Sequence, residues 1–146
     1  MRIMLTTGAL LLVAAPAFAQ SARIVSQGAA YAYAEERAAT ERTIDLALGA
    51  VPREGAEVVF FRPGGAIAGH AAVSENGRVV ARLAGDSHVA VRVAPGMHAF
   101  AVDGRPLQLE VRAGERRYIR LADGQAGTRL APSQAPTFLR ASLAKR

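Results

Sequence analysis

Apolar and polar residues alternate with a period of two through most of the stretch from Ala56 to Leu121. In a β-strand this period sends successive side chains to opposite faces, so that one face packs on a core while the other meets solvent. Turn residues interrupt the alternation about every 8–12 residues, a spacing typical of all-β sandwiches and barrels. The pattern predicts seven strands, at residues 57–62, 68–74, 78–84, 87–93, 97–103, 106–112 and 116–122.

Short turns between these strands predict hairpins and their registers. Asn76-Gly77 and Asp103-Gly104 are favoured two-residue hairpin turns, because both central residues must take positive φ. Pro95-Gly96 is taken to close a third hairpin, between strands 87–93 and 97–103. The expected cross-strand pairs are Val73 with Val80, His70 with Leu83, Val93 with His98, Val91 with Phe100, Val89 with Val102, Phe100 with Leu107 and His98 with Leu109.

The last two hairpins together predict one apolar and one polar face on three adjacent strands. A sheet with one side on a core requires this division. His88, Ala90 and Arg92 fall on the polar or small face. The core face is predicted to carry Val89, Val91, Val93, His98, Phe100, Val102, Leu107, Leu109 and Val111.

The segment before the strands, residues 20–50, is rich in alanine, glutamate, arginine and leucine, which are strong helix formers. It predicts a modestly amphipathic helix with a break near Gly28. Ile44 and Leu48 share one face of it, and Gly49 is placed to end it as a C′ residue. The helix is expected to pack beside the strands or to act as a spacer.

The segment after the strands, residues 123–146, begins with a run rich in Gly, Pro, Gln, Ser and Thr. This composition is typical of a linker, and the nine residues that close the chain are too few for a stable isolated helix. We therefore expect a flexible tail, capable of at most weak contact with a membrane surface. The predicted fold class is mainly β: a single small antiparallel β-sandwich over 56–122, with a helix before it and a flexible tail after it.

The N-terminal segment, residues 1–19, has the features of a signal peptide. Arg2 is followed by an apolar stretch, and Ala17-Phe18-Ala19 matches the small-x-small pattern of a cleavage site. The apolar stretch is shorter than the roughly 20 residues that a membrane span needs. Cleavage between Ala19 and Gln20 predicts a periplasmic or secreted protein.

Composition narrows the chemistry further. The chain contains no cysteine, which excludes disulfides, thiol catalysis, zinc-thiolate sites and lipoprotein anchoring. Its 18 basic and 12 acidic residues give a net charge of +6, and every basic residue except Lys145 is arginine. For an exported protein, anionic envelope components are better partners for this charge than nucleic acid.

Asp86, Ser87 and His88 stand side by side and raise the question of a catalytic or metal site. Neighbouring side chains diverge in a strand, whereas a triad needs three groups that converge. His88 and His98 are expected on opposite faces, roughly 16 Å apart along the ladder at 3.3 Å per residue, so they could not share one metal ion. We expect that the protein is not an enzyme and that it has no cofactor and no metal site.

The strongest local charge feature is the run from Arg112 to Arg120. Strand alternation puts Arg116, Tyr118 and Arg120 on one face, where they could bind an anionic group or a partner. Arg62 is a further candidate for the same surface. A plain solvated strand face is the alternative interpretation.

Several turns and strand ends resemble a known family. The matching positions are Phe61-Arg62-Pro63, Asn76-Gly77 with Leu83, Pro95-Gly96 with His98, and Ala113-Gly114 with Tyr118 to Leu121. They are similar to an uncharacterised family of bacterial exported proteins and lipoproteins. That family is a domain of unknown function akin to PEGA β-sandwich modules. The resemblance covers residues 56–122. It implies a β-sandwich and brings no catalytic residues.

Three functions follow as hypotheses. The first is a non-catalytic envelope module that binds another envelope protein or polymer. The second is a binder of lipid headgroups or lipopolysaccharide through Arg62, Arg116 and Arg120. The third and least favoured is a hydrolase or metal protein built on the histidines.

Overall fold

The computed structural model describes residues 18–65 and 69–143, with side chains from residue 29 onward. Contacts within the chain separate residues 1–35 from residues 36–146, and both β-sheets belong to the second unit. The elements in chain order are α1 (Phe18–Leu48), β1 (Ala56–Arg62), β2 (Ala71–Glu75), β3 (Arg78–Leu83), β4 (Ser87–Val93), β5 (Gly96–Val102), β6 (Arg105–Val111), β7 (Arg116–Gly124), β8 (Gly127–Ser133), α2 (Ala135–Phe138) and a π-helical turn (Leu139–Leu143).

The strands form two four-stranded sheets, which face each other across one core. Sheet A has the order β4-β1-β7-β8, and sheet B has the order β3-β2-β5-β6. Phe60 of sheet A meets Phe100 of sheet B edge to face, with ring centroids 5.1 Å apart. The expected mainly β sandwich is confirmed, with eight strands rather than seven. One pair differs from the expected antiparallel arrangement, because β1 and β7 run parallel.

Strand β1 is buried along its whole length. Val58 and Phe60 point into the core between the sheets, while Val59 and Phe61 point to the other side of sheet A. The unbroken apolar run of these four residues is typical of a strand covered on both faces. Sheet A therefore needs a second covering layer, which the helical elements supply.

The Asp103-Gly104 hairpin has the predicted register. Phe100 lies opposite Leu107 and His98 opposite Leu109, and both turn residues take positive φ, as a type I′ turn requires. The Pro95-Gly96 prediction is wrong, because β4 pairs with β1 of sheet A while β5 pairs with β2 and β6 of sheet B. Residues 94–95 thus cross between the sheets. The valines of β4 still point to the core, because the core lies between the two sheets and the inward face of a strand packs on it from either sheet.

The Asn76-Gly77 hairpin forms, but its register shifts by one residue beyond Ser74. Val73 lies opposite Ala81 instead of Val80, and Ala71 instead of His70 lies opposite Leu83. The irregularity keeps Ala81 and Leu83 in the core and leaves Arg82 exposed, whereas the regular register would have turned Arg82 inward. His70 is consequently an exposed residue before β2 rather than the cross-strand partner of Leu83.

Helix α1 runs through Gly28 without the predicted break. It ends as predicted at Gly49, which has a φ of 87° and donates its N–H to the carbonyl oxygen of Asp45 over 2.9 Å. Ile44 and Leu48 both pack on sheet A. No helix in the described part of the chain is long and apolar enough to cross a membrane. Residues 1–17 of the predicted signal peptide lie outside the described residues.

The expectation of a flexible tail is wrong for the described residues beyond Asp123. The segment 124–127 is the turn of a hairpin, and β8 pairs with β7 along its length. Thr128 and Leu130 point inward, and Phe138 of α2 is fully buried. The Gly- and Pro-rich composition concealed a short alternating strand, whose pairing is possible only because β7 offers a free edge.

Phe138 should contribute more stability than any large exposed side chain. Its ring lies against Phe61, Tyr118 and His88, with centroid distances of 5.4, 5.4 and 5.3 Å. We expect Phe138→Ala to lower the free energy of unfolding by about 3–5 kcal/mol, through lost burial and the cavity left behind. Urea denaturation measures this change in the free energy of unfolding. Leu46→Ala, at a side chain that is 90% exposed, is the control and should change stability by less than about 0.5 kcal/mol. Equal effects would contradict a packed C-terminal segment.

Candidate functional site

The outer face of sheet A, which points away from sheet B, is covered by helical segments. Val59, Phe61 and Tyr118 lie beneath Ile44 of α1 and Phe138 of α2. Ala135 is buried in the same cluster, and Leu48, Leu139, Ala141 and Leu143 pack at its border. The strand face that carries Arg116 and Tyr118 is therefore an internal layer over most of its area.

Arg116 joins three elements at one end of this layer. Its Nε donates to Glu57 of β1 over 2.5 Å and its Nη1 donates to Asp45 of α1 over 2.7 Å, while Nη2 donates to the carbonyl oxygen of Gly49. Only 3% of its side chain is exposed. Burial acts to lower the pKa of Arg116, but the hydrogen bond to Glu57 and the charges around it raise it overall. Arg116 thus fastens the end of α1 to sheet A.

Tyr118 continues this internal layer. Its hydroxyl donates to Glu41 of α1 over 3.1 Å, and its ring stacks on Phe138. Burial, together with the negative charge of Glu41, raises the pKa of the phenol far above its usual range. A phenol held in its neutral form as a donor to a carboxylate acts as a structural anchor.

An open cleft of about 400 Å³ lies beside Arg116. Asp45 and Glu41 of α1 form one side, and Gly114 and Glu115 of the β6–β7 turn lie across from them; Arg37, Ala50, Val51 and Arg116 complete the lining. The carboxylates are engaged within the fold: Glu41 with Tyr118, Asp45 with Arg116, and Glu115 with the backbone N–H of Arg112 and with Arg117. In the part of the chain that the structure describes, Arg37 is the lining arginine without a hydrogen bond or ion pair.

Arg62 lies at the opposite end of β1 from Glu57 and points to the core side of sheet A. Its Nε and Nη2 donate to the two carboxylate oxygens of Asp123 over 3.0 and 3.1 Å. Nη1 donates to the carbonyl oxygens of Gly69 and Leu83 over 2.8 and 3.4 Å. The guanidinium closes one end of the sandwich and is 3% exposed.

The four predicted site residues therefore do not form one binding surface. Arg116 and Tyr118 lie together on the outer face, as alternation predicted, but Tyr118 is buried there and only 3% of the Arg116 side chain is exposed. Arg62 is at the other end and on the other face of the sheet, and Arg120 alone is exposed. The local alternation was sufficient to place Arg116, Tyr118 and Arg120 on one face, but it held no information on what covers that face.

The three histidines lie apart. His98 is in sheet B, where Nδ1 contacts Glu75 Oε1 at 2.5 Å and Nε2 contacts the carbonyl oxygen of Ala94 at 2.7 Å. His88 packs edge-on against Phe138 on the outer face of sheet A. The Ser87 hydroxyl donates to the carbonyl oxygen of Ala84 over 2.8 Å, which directs it into the turn. No group of three metal-ligating side chains occurs among the described residues.

The sequence-based reasoning missed the carboxylates that determine this arrangement. Glu57, Asp45 and Asp123 are each more than 55 residues from the arginine they pair with. One signal was present: Glu57 directly precedes the unbroken apolar run of β1, and a carboxylate buried with such a strand requires a cationic partner.

Comparison with known proteins adds little to this description. No protein family matches the chain, and no curated protein matches it. Among solved structures, the N-terminal domain of AlgF from P. aeruginosa is similar, at 17% identity and a TM-score of 0.40. The match covers 57% of this chain and 99% of that domain. A similarity at this level supports no transfer of function.

Removing the partner of Arg62 should strongly destabilise the sandwich. We expect Asp123→Ala to lower the free energy of unfolding by about 3 kcal/mol or more, because it leaves a buried guanidinium without its counter-charge. Urea denaturation measures the change. Arg129→Ala, an exposed arginine on the neighbouring strand, is the control and should have little effect.

The same ion pair predicts an acid sensitivity. The hydrogen bond from Arg62 lowers the pKa of Asp123 below its usual value. The stabilisation is therefore complete above the unfolded-state pKa and is lost as pH falls through the lower folded-state pKa. Asp123→Ala should flatten this part of the stability profile. If stability fell in acid as steeply in Asp123→Ala as in the wild type, the Arg62–Asp123 pair would not be the source of the acid sensitivity.

His98 should make the fold less stable at alkaline pH. Both of its ring nitrogens face acceptors, and a neutral imidazole has only one N–H. The hydrogen bond to Glu75 raises the pKa of His98 above 6.5, against the opposing effect of burial. The stabilisation is thus present below the unfolded-state pKa and is lost as pH rises through the raised folded-state pKa. NMR titration of the ring measures that pKa, and Glu75→Gln should lower it. An unshifted pKa in Glu75→Gln would refute the pairing.

Proposed function

We propose that this chain is a non-catalytic β-sandwich module of the bacterial envelope that binds another envelope protein or polymer. Its export is proposed from the signal-peptide features of residues 1–19, and the resemblance to exported sandwich domains of unknown function agrees with it. The observation that carries the proposal is the unburied surface of helix α1.

Every described side chain of α1 from residue 29 to residue 39 is exposed. This stretch includes Tyr31, 74% exposed, and Tyr33, 79% exposed. Tyrosine is enriched in protein interfaces, because it offers a large apolar ring and a hydrogen-bonding hydroxyl. A helical stretch that buries no side chain gains little from packing within its own chain. A partner that covers these tyrosines would supply the missing burial.

The polar groups of the sandwich support a non-catalytic role. Arg62, Arg116, Tyr118 and His98 each contact partners within the fold, and each is at least partly buried. Groups committed in this way hold the strands, the turns and the end of α1 together.

The alternative of an anionic-ligand binder has weaker support. Asp123 neutralises Arg62, and Glu57 with Asp45 neutralises Arg116. Of the three arginines considered for that role, only Arg120 is exposed. A single surface arginine offers little specific affinity for an anion in water.

Site-specific photocrosslinking in intact cells tests the proposed function. A benzophenone amino acid in place of Tyr31 or Tyr33 should yield a discrete adduct with one partner, because the aromatic side chain lies in the proposed interface. The same amino acid at Arg53, an exposed turn residue, is the matched control and should yield none. Absence of adducts at both tyrosine positions, or the same adducts at Arg53, would refute helix-mediated binding.

A further inference from the structure

Strand β4 is the least protected of the four edge strands. An unpaired edge offers a row of free backbone groups, which proteins usually protect with proline, a bulge or charges. Edge strand β6 carries Pro106, β8 carries Pro132, and β3 carries two arginines and the register irregularity against β2. Strand β4 contains neither proline nor glycine, carries one arginine, Arg92, and pairs regularly with β1 over seven residues. Among the described residues, no strand pairs with its other side.

The core is also incompletely covered along β4. Val89, Val91 and Val93 point inward, yet all three are only partly buried. On β6, which is likewise an edge strand, Leu107 is partly buried but Leu109 and Val111 are only 4% and 1% exposed. The flank of the core at β4 therefore leaves apolar surface in contact with solvent, where an additional row of apolar side chains would cover it.

The outer face of β4 would favour negative charge on a strand that pairs with it. Arg92 is exposed and, within the described chain, makes no hydrogen bond or ion pair. It lies directly opposite Glu57 in the β1–β4 register, but Glu57 is bonded to Arg116. A strand placed beside β4 would therefore be favoured by a carboxylate next to Arg92.

We propose that β4 accepts an extended segment of a partner protein as a fifth strand of sheet A, with alternate residues apolar and with carboxylates on its outward face. Main-chain hydrogen bonds to the side of β4 that no described strand pairs with would supply affinity, and the valines and Arg92 would supply specificity. This inference rests on the proposed binding function and names the form of the partner.

A second copy of this chain fits the edge less well than an acidic segment does. Antiparallel pairing of two β4 strands about Ala90, the register that uses the whole strand, places His88 opposite Arg92 twice. It brings no carboxylate to either arginine. Charge complementarity therefore favours a different partner over self-association.

The test uses the isolated protein, labelled with ¹⁵N, and the synthetic peptide Thr-Val-Glu-Val-Glu-Val-Thr. NMR titration up to about 1 mM peptide, the weak end of specific binding, should shift the amide signals of residues 87–93 and slow their hydrogen exchange by about tenfold. A peptide of the same composition with contiguous valines should leave these signals unchanged, because it cannot present one apolar face.

Two variants test the site itself. Val91→Lys places an inward-pointing charge on the edge and should abolish binding. Leu107→Lys, at a partly buried inward position of β6, is its matched control and should bind like the wild type. Arg92→Glu, at an exposed position that does not threaten folding, should weaken binding of the glutamate peptide about tenfold. The same variant should bind a peptide that has lysines in place of the glutamates as well as the wild type binds the original peptide.

Three outcomes would overturn the proposal: no shift in residues 87–93, binding that Arg92→Glu leaves unchanged, or a concentration-dependent dimer through β4. Crosslinks from Tyr31 or Tyr33 that persist in Val91→Lys would show that the proposed function stands without the strand-addition site. If the protein without these substitutions in β4 forms no crosslinks from Tyr31 or Tyr33, the proposed function is instead refuted.

Discussion

Burial of strand β1 on both faces is the constraint on which the rest of the structure depends. Val58 and Phe60 require an opposing sheet, and Val59 and Phe61 require a second cover on the other side. A sheet with one solvated face would leave two large apolar side chains in water. The fold therefore has three layers, with sheet B on one side of sheet A and the ends of two helical segments on the other.

The charged groups follow from the same constraint. Glu57 at the start of β1 and Arg62 at its end are buried with the strand, so each needs a counter-charge. Arg116 meets Glu57 because β7 runs parallel beside β1, and Asp123 meets Arg62 where β7 extends past the end of its pairing with β1. Two of the three arginines that suggested an anion-binding surface, Arg62 and Arg116, thereby hold strands, helix and turns together, whereas Arg120 is exposed. The partner surfaces that we propose, the exposed part of α1 and the edge of β4, lie outside these ion pairs.

Local patterns predicted the parts of the fold that depend on neighbouring residues. The Asp103-Gly104 turn determines its hairpin register because a two-residue I′ turn admits only one. The Pro95-Gly96 turn was assigned wrongly, because a short connection can close a hairpin or cross to the opposite sheet, and both leave the valines of β4 facing the core. Strand β8 was missed because its turn-rich composition resembles a linker, and its alternation is confined to a few residues.

By itself the sequence determined which side chains of β4, β5 and β6 face the core, where α1 ends and that the protein is mainly β, because these follow from backbone preference and from alternation along one strand. Only the tertiary structure decided which strands are neighbours, that β1 and β7 are parallel, and that helical segments cover Tyr118 and Arg116. The reason is that alternation distinguishes two faces of a strand without identifying what lies against each. Sequence could place Arg116 beside Tyr118 on one face, but only the partners brought from distant positions, Glu57, Asp45 and Glu41, made them part of the protein's interior.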